Sequence, residues 1–200
     1  MSTISIVGTG NVGTALARVF ARSRVGAMIA NTRGPRSFPE LAAEVAPTVR
    51  ATTLEEARQA DVLFLAIPFL AVQPFAASQP QWLGKIIVDA TNSFMVPNQE
   101  QLLAGRLSTE IVIDAFPGAE VVKAFNQLPA NVLARPLPAG DGKTVIFMAS
   151  NSVDASKEIS RIAEQLGYSP VELGRVDEGG RLIQARNALV LRHFIERPIS

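Results

Sequence analysis

Three glycines, Gly8, Gly10 and Gly13, fall within six positions between an apolar run and an apolar helix in the segment STISIVGTGNVGTALARVF, Ser2 to Phe20. Glycine costs roughly 0.5–1 kcal/mol against alanine inside a regular element. Three of them so close together therefore need a compensating use. Ile4, Ile6 and Val7 read as a short buried strand, while Val12, Leu16, Val19 and Phe20 recur at helical spacing. The glycines thus occupy a strand-to-helix turn of the form GxGxxG. In such a turn the first glycine permits the tight bend, the second lets backbone approach a pyrophosphate, and the third lets helix and strand pack closely. The free amides at the helix start would face the phosphates, with the positive end of the helix dipole behind them.

A dinucleotide turn of this kind usually has an acid at the end of the second strand that binds the ribose 2′-hydroxyl. Here that position reads Asn31-Thr32-Arg33-Gly34-Pro35, with no acid before Glu40. A hydroxyl at Thr32, a guanidinium at Arg33 and a second charge at Arg36 suit a 2′-phosphate instead. The expected cofactor is NADP(H).

Composition narrows the alternatives. The 200 residues carry 48 % hydrophobic and 18 % charged side chains and a formal charge of +1, which offers no general attraction to nucleic acid or to an anionic membrane. Cysteine is absent, which removes disulfides, thiolate metal sites and cysteine nucleophiles, and a single histidine, His193, cannot make a histidine metal cluster. We expect His193 to be a helix residue in or beside an interface. Met1 leads directly into the first strand, with neither a cationic leader nor a long apolar span, so a cytoplasmic protein with no membrane partner is expected.

Strands are expected at Ala27–Arg33, Val49–Ala51, Asp61–Ile67 and Ile86–Asp89, with helices at Arg36–Ala46, Leu54–Ala60 and Leu70–Ala77 between them. This alternation implies an α/β fold of the Rossmann type, a doubly wound and mostly parallel sheet. Past Asn92 the rhythm changes: helices near Gln99–Ala104 and Thr109–Ala115, a strand at Val121–Phe125, a proline-rich excursion over Leu128–Gly142, and a strand at Thr144–Ala149. A helix capped by Asn151 or Ser152 then runs to Gly167, followed by a strand at Val171–Leu173 and a final helix over Arg181–Ile195 that is apolar almost all round. We therefore expect an NADP-binding domain over residues 1–127 and a small C-terminal α/β extension over 128–200. The final helix, too apolar for one buried stripe, is expected at the two-fold interface of a homodimer.

GTGNVG, NTRGP, LAIPF, VDATN and VVKAFN, in that order, resemble the family of NADP oxidoreductases that depend on the deazaflavin coenzyme F420, including its bacterial homologues. The similarity runs from residue 3 to about residue 186 and includes FMASNSVDASKEISRIAEQLGYSPVELG, Phe147 to Gly174. The resemblance implies direct hydride transfer between NADPH and a flavin-like acceptor (coenzyme F420, or FMN/FAD), with no obligatory protein acid or base and hence no catalytic side chain. It places Thr9, Gly10, Asn11 and Val12 on the pyrophosphate and Asn31, Thr32 and Arg33 on the 2′-phosphoribose. Ile67, Pro68 and Phe69 would lie beneath the dinucleotide, although Pro68 is also a plain strand terminator. Asn92 sits where open sheets place ligands, with an Asx turn as its other reading. Asn126 and Gln127 would border the acceptor. A smaller residue such as threonine is the family pattern at position 127, so the larger amide would reshape that pocket. Two other functions stay open: a ferric or quinone reductase fed through flavin, and a non-catalytic NADP(H) sensor.

Overall fold

The computed structural model describes residues 2–79, 81–94 and 96–197. Its centre is a nine-stranded sheet in the order β3-β2-β1-β4-β5-β6-β7-β8, with β9 pairing to β7. Strands β1 (Ile4–Val7), β2 (Ala27–Ala30), β3 (Val49–Ala51), β4 (Val62–Leu65), β5 (Ile86–Asp89) and β6 (Glu120–Lys123) run parallel to one another. This is the Rossmann-type doubly wound order, and it reverses direction between β1 and β4. Such a reversal leaves a crevice at the carboxyl ends of those two strands.

Both faces of the sheet are covered, so its central strands are apolar on both sides. In β4, Val62 and Phe64 join one core with Ile6, Leu16 and Phe20, whereas Leu63 and Leu65 join the other with Trp82, Val112 and Phe116. The first core lies under α1 (Asn11–Arg22) and α8 (Val153–Gln165). The second lies under α4 (Val72–Ala76) and α6 (Ser108–Ala115). Between these elements in the chain come α2 (Pro39–Val45), α3 (Leu54–Ala57), α5 (Gln99–Leu103) and α7 (Ala130–Leu133). All four differ from the sequence reading: α2 begins only at Pro39, after a 3-10 turn over Pro35–Ser37, and α5 ends one residue early at Leu103. Helix α3 stops at Ala57, and α7 is one turn inside the proline-rich excursion.

The segment 128–200 does not form a separate sheet. Strand β7 (Lys143–Ser150) pairs antiparallel with β6, and β8 (Ser169–Glu172) pairs parallel with β7. Pro170 is tolerated in β8 because that strand is an edge. Ser152 caps α8 by accepting from the Ala155 amide at 3.3 Å. Residues 198–200 of the expected extension lie outside the described residues.

The expected helix over Arg181–Ile195 is not formed. A 3-10 turn covers Gly179–Ile183, turns follow, and Ile195–Glu196 is the short strand β9. Two causes are visible. Arg186 and Leu191 adopt φ of 68° and 61°, which breaks any helix. The edge of β7 also draws the chain into pairing, with Lys143 opposite Glu196 and the Val145 amide on the Phe194 carbonyl at 2.9 Å. The apolar residues divide accordingly: Ile183 and Val190 are buried, whereas Leu182, Leu191, Phe194 and Ile195 are exposed. His193 is therefore not on a helix; its Nε2 lies 3.0 Å from the Thr144 hydroxyl.

Between β6 and β9, the same edge of β7 is completed by a side chain. Gln127, fully buried, donates through Nε2 to the Val145 carbonyl at 3.0 Å and accepts the Phe147 amide on Oε1 at 2.7 Å. Its amide thus stands in for a strand residue, and it is a structural group and not a lining of an acceptor pocket. Gln127→Leu keeps most of the volume but orphans a buried donor and a buried acceptor, each worth about 1–3 kcal/mol. Urea denaturation is expected to show a loss of about 2–4 kcal/mol with an unchanged m-value.

Candidate functional site

At the carboxyl ends of β1 and β4 a cleft of about 450 Å³ opens, floored by Val7, Gly8 and Ala66 and walled by Asn31, Arg58 and Phe75. A second hollow of about 540 Å³, between the first turn of α1 and α7, shares Thr9 and Gly10 with it and adds Asn11, Thr14, Arg18 and Asn131. Thr9 and Gly10 thus form the ridge between two hollows. Gly10 is the N-cap of α1, with no side-chain cap, and the first turn contains no acidic residue. The leading amides of the helix have no helical acceptor and no carboxylate competes for them.

The three glycines have different reasons to be there. A Cβ on Gly8, which has φ of 116°, would lie 2.2 Å from the Ala66 carbonyl oxygen, and one on Gly13 would lie 2.0 Å from the Gly8 carbonyl oxygen. Both are required by the close contact of α1, β1 and the loop after β4. A Cβ on Gly10 would meet nothing within 4 Å. The bare backbone at Gly10 therefore serves no packing purpose inside the chain, and it leaves room beside free amides for a phosphate group.

Asn31 holds the end of β2 against this turn. Its Nδ2 donates to Thr9 Oγ1 at 2.8 Å and to Ser37 Oγ at 3.0 Å, and its Oδ1 accepts the Arg33 amide at 2.9 Å. Thr32 lines the cleft, and Arg33 and Arg36 are exposed beside it. Ile67 and Pro68 also line the cleft. Phe69 does not: it is buried in the second core and lines a separate hollow of about 240 Å³ with Leu70, Gln73 and Leu102. The reason is the 3-10 turn over Phe69–Ala71, which swings the ring back toward the sheet.

Asn92 and Asn126 are brought together from the loops after β5 and β6. Asn92 Nδ2 donates to the Asn126 carbonyl at 2.9 Å, and Asn126 Nδ2 donates to Asn92 Oδ1 at 3.0 Å and to the Ile183 carbonyl at 2.7 Å. Asn126 Oδ1 is buried without a partner. Phe125, immediately before it, is buried with φ of 61°, a conformation costly for a non-glycine residue and held here by packing against Phe64 and Tyr168.

Beneath these loops lies a buried ion pair that sequence reading did not single out. Lys123 Nζ donates to Asp89 Oδ2 at 3.1 Å and to the Thr91 carbonyl at 2.5 Å. Asp89 also accepts from the Thr91 amide at 3.0 Å, the Thr91 hydroxyl at 2.6 Å and the Thr109 hydroxyl at 3.0 Å. Burial pushes the Lys123 ammonium down from its ordinary value, and Asp89 opposes that shift. The alternation of D and K with apolar neighbours in VDATN and VVKAFN was the available signal, and only parallel pairing of Asp89 with Lys123 turns it into a contact.

Residues 3–93 match the family model described as NADP oxidoreductase, coenzyme F420-dependent. This N-terminal segment is similar to that family. A hypothetical protein from Sinorhizobium meliloti superposes with a TM-score of 0.93 at 40 % identity, over 98 % of this chain and 96 % of that one. A protein from Arthrobacter sp. FB24 described as an F420-dependent NADP-reductase shares the fold, with a TM-score of 0.70 at 24 % identity over 88 % and 86 % of the two chains. The metalloreductase STEAP3 of Rattus norvegicus is 29 % identical over 175 residues, which covers 86 % of this chain and 33 % of the metalloreductase. The chain thus spans about a third of the length of the curated relatives it matches. Among the described residues, no helix is long and apolar enough to cross a membrane.

The glycine geometry gives a paired test. Gly10→Val is expected to melt close to the parent and to weaken NADPH binding at least tenfold in calorimetry, because its side chain takes the room left beside the free amides. Gly13→Val, forced against the Gly8 carbonyl, is expected to lose about 3 kcal/mol or more of stability.

Proposed function

We propose that this NADP-dependent oxidoreductase passes a hydride between NADPH and a flavin-like acceptor, coenzyme F420 or a flavin such as FMN or FAD. The observation that carries the cofactor end of the reading is the unfilled space at Gly10 beside uncapped helix amides. In this assignment Gly8 to Gly13 cradle the pyrophosphate. Asn31 and Thr32 meet the ribose, and Arg33 and Arg36 screen the 2′-phosphate from solution. The bound nicotinamide supplies the hydride.

The remaining residues orient and exclude water. Ile67 and Pro68 close the cleft below the dinucleotide, and the Asn92–Asn126 pair forms a fixed polar border toward the acceptor. Groups that could serve as proton donors are committed elsewhere. Tyr168 donates its buried hydroxyl to the Leu133 carbonyl at 2.6 Å, and burial pushes its phenol up. Lys123 is sealed against Asp89. This suits a transfer between two rings, which needs distance and orientation and no protein acid.

The similarity to STEAP3 supports a second reading, in which the reduced flavin hands electrons on to ferric iron. The exposed Leu182, Leu191, Phe194 and Ile195 are apolar enough to support a homodimer through the C-terminal strap in place of a helix.

Two measurements check these assignments. NADPH is expected to bind at least tenfold more tightly than NADH, about 1.4 kcal/mol, and Arg33→Ala to remove most of the difference. Stopped-flow oxidation of NADPH with F420, FMN, FAD and a quinone in parallel is expected to be fastest with a flavin-like ring. Oxidation only by the quinone, or equal affinity for the two dinucleotides, would overturn the proposal.

A further inference from the structure

Arg58 follows α3 directly and lies four residues after Leu54, and both side chains line the same wall of the 450 Å³ cleft. Among the arginines of the described residues it alone has a buried nitrogen without a partner. Arg18, Arg50, Arg106, Arg161 and Arg175 each pair with a carboxylate, whereas the described hydrogen bonds and ion pairs give the Arg58 side chain no partner. Its Nε is buried and without an acceptor. Among the described residues, no carboxylate lines the cleft. Glu56, two residues earlier, is bound to Arg50 and Thr52.

A buried donor without an acceptor is unfavourable, so the Arg58 side chain in the cleft wall is placed to be partnered by whatever the cleft receives. The neighbouring lining decides which part of a dinucleotide that is. Away from the glycine turn, the cleft lining shared with Arg58 is Leu54, Ala71, Pro74 and Phe75 with the single hydroxyl of Ser78, while Asn31 and Thr32 lie at the end of β2. A phosphate among the apolar groups would lose hydration without recovering it. A purine would not: it offers a flat face to apolar groups, and ring nitrogens that accept hydrogen bonds from a planar guanidinium.

We propose that Arg58 is the residue that binds the adenine of the dinucleotide, its planar guanidinium donating in-plane to a ring nitrogen of the base while the base lies against the apolar wall of Leu54 and Phe75. This rests on the NADP(H) reading of the cleft. It adds a task to the one that the sequence pattern assigned to the arginines after β2. Arg33 and Arg36 serve the 2′-phosphate and so the choice between NADPH and NADH. Arg58 serves the base common to both.

The test is calorimetry of the full chain and its Arg58→Ala and Arg58→Lys variants with NADPH, NADH and reduced nicotinamide mononucleotide, which lacks adenine. For Arg58→Ala we expect affinity for NADPH and NADH to fall about tenfold alike, with their ratio kept. Arg58→Lys keeps the charge and loses the plane, and is expected to recover only a minor part of that loss. Affinity for the mononucleotide should not move, which also shows that the variants are folded. If the parent binds NADPH and Arg58→Ala binds both dinucleotides as tightly as the parent does, the assignment of Arg58 is overturned while the cofactor reading stands. A loss confined to NADPH overturns it too, by making Arg58 a phosphate ligand. If the parent binds neither dinucleotide, the cofactor reading itself fails and Arg58 with it.

Discussion

The approach of α1 to β1 and β4 at Gly8 and Gly13 is the constraint on which the rest of the site depends. With both Cβ positions within 2.2 Å of backbone oxygens, no side chain other than hydrogen is compatible with the observed packing. The close contact sets the first turn of α1 directly over the reversal in strand order, where its uncapped amides face the crevice. Asn31 then fastens the end of β2 to Thr9, so that the polar rim and the glycine turn move as one unit. A looser helix would still be a helix. It would no longer aim its amides at the place where β1 and β4 diverge.

Much of this was legible in the sequence because parallel strands buried on both faces are written as short apolar runs with sharp ends. Val49–Ala51 and Ile86–Asp89 are read with the observed bounds. The glycine turn is local too, and so is the missing acid after β2. Arg58 was not legible, since nothing in LEEAR distinguishes a cleft-facing arginine from a solvated one. Only the crossing of α3 between β3 and β4 brings it to the wall. Phe69 was misread for a related reason: a proline after β4 marks where the strand stops but not which way the next ring turns.

The C-terminal third shows the limits of periodicity more sharply. Counting apolar residues over Arg181–Ile195 cannot distinguish a helix buried all round from an extended strap, because both bury some of them and expose the rest. The decision came from β7, whose eight residues outrun the four of β6 and leave backbone groups unpaired along one edge. Such an edge recruits partners. Here they are Ile195–Glu196 and the side-chain amide of Gln127, from opposite directions along the chain. The departure at position 127 was visible as an oversized residue. Its meaning lay in a strand eighteen residues away.

The Asp89–Lys123 pair bears on how such a scaffold would support hydride transfer. A buried ion pair is weak evidence for stability, since a well-packed apolar pair of the same volume often does as well. What an apolar pair could not do is fix direction. Asp89 and Lys123 end adjacent strands and together use the Thr91 amide, hydroxyl and carbonyl and the Thr109 hydroxyl, and Gln184 Nε2 donates to that same hydroxyl at 3.2 Å. The two loops that present Asn92 and Asn126 are thereby tied at their roots and again at their tips, with Phe125 held left-handed between. In the proposed reaction the protein contributes separation and orientation of two rings in place of an acid or base, so tolerance for movement in those loops is small. A network whose members each have a directed partner supplies that stiffness where dispersion alone would allow the loops to slide.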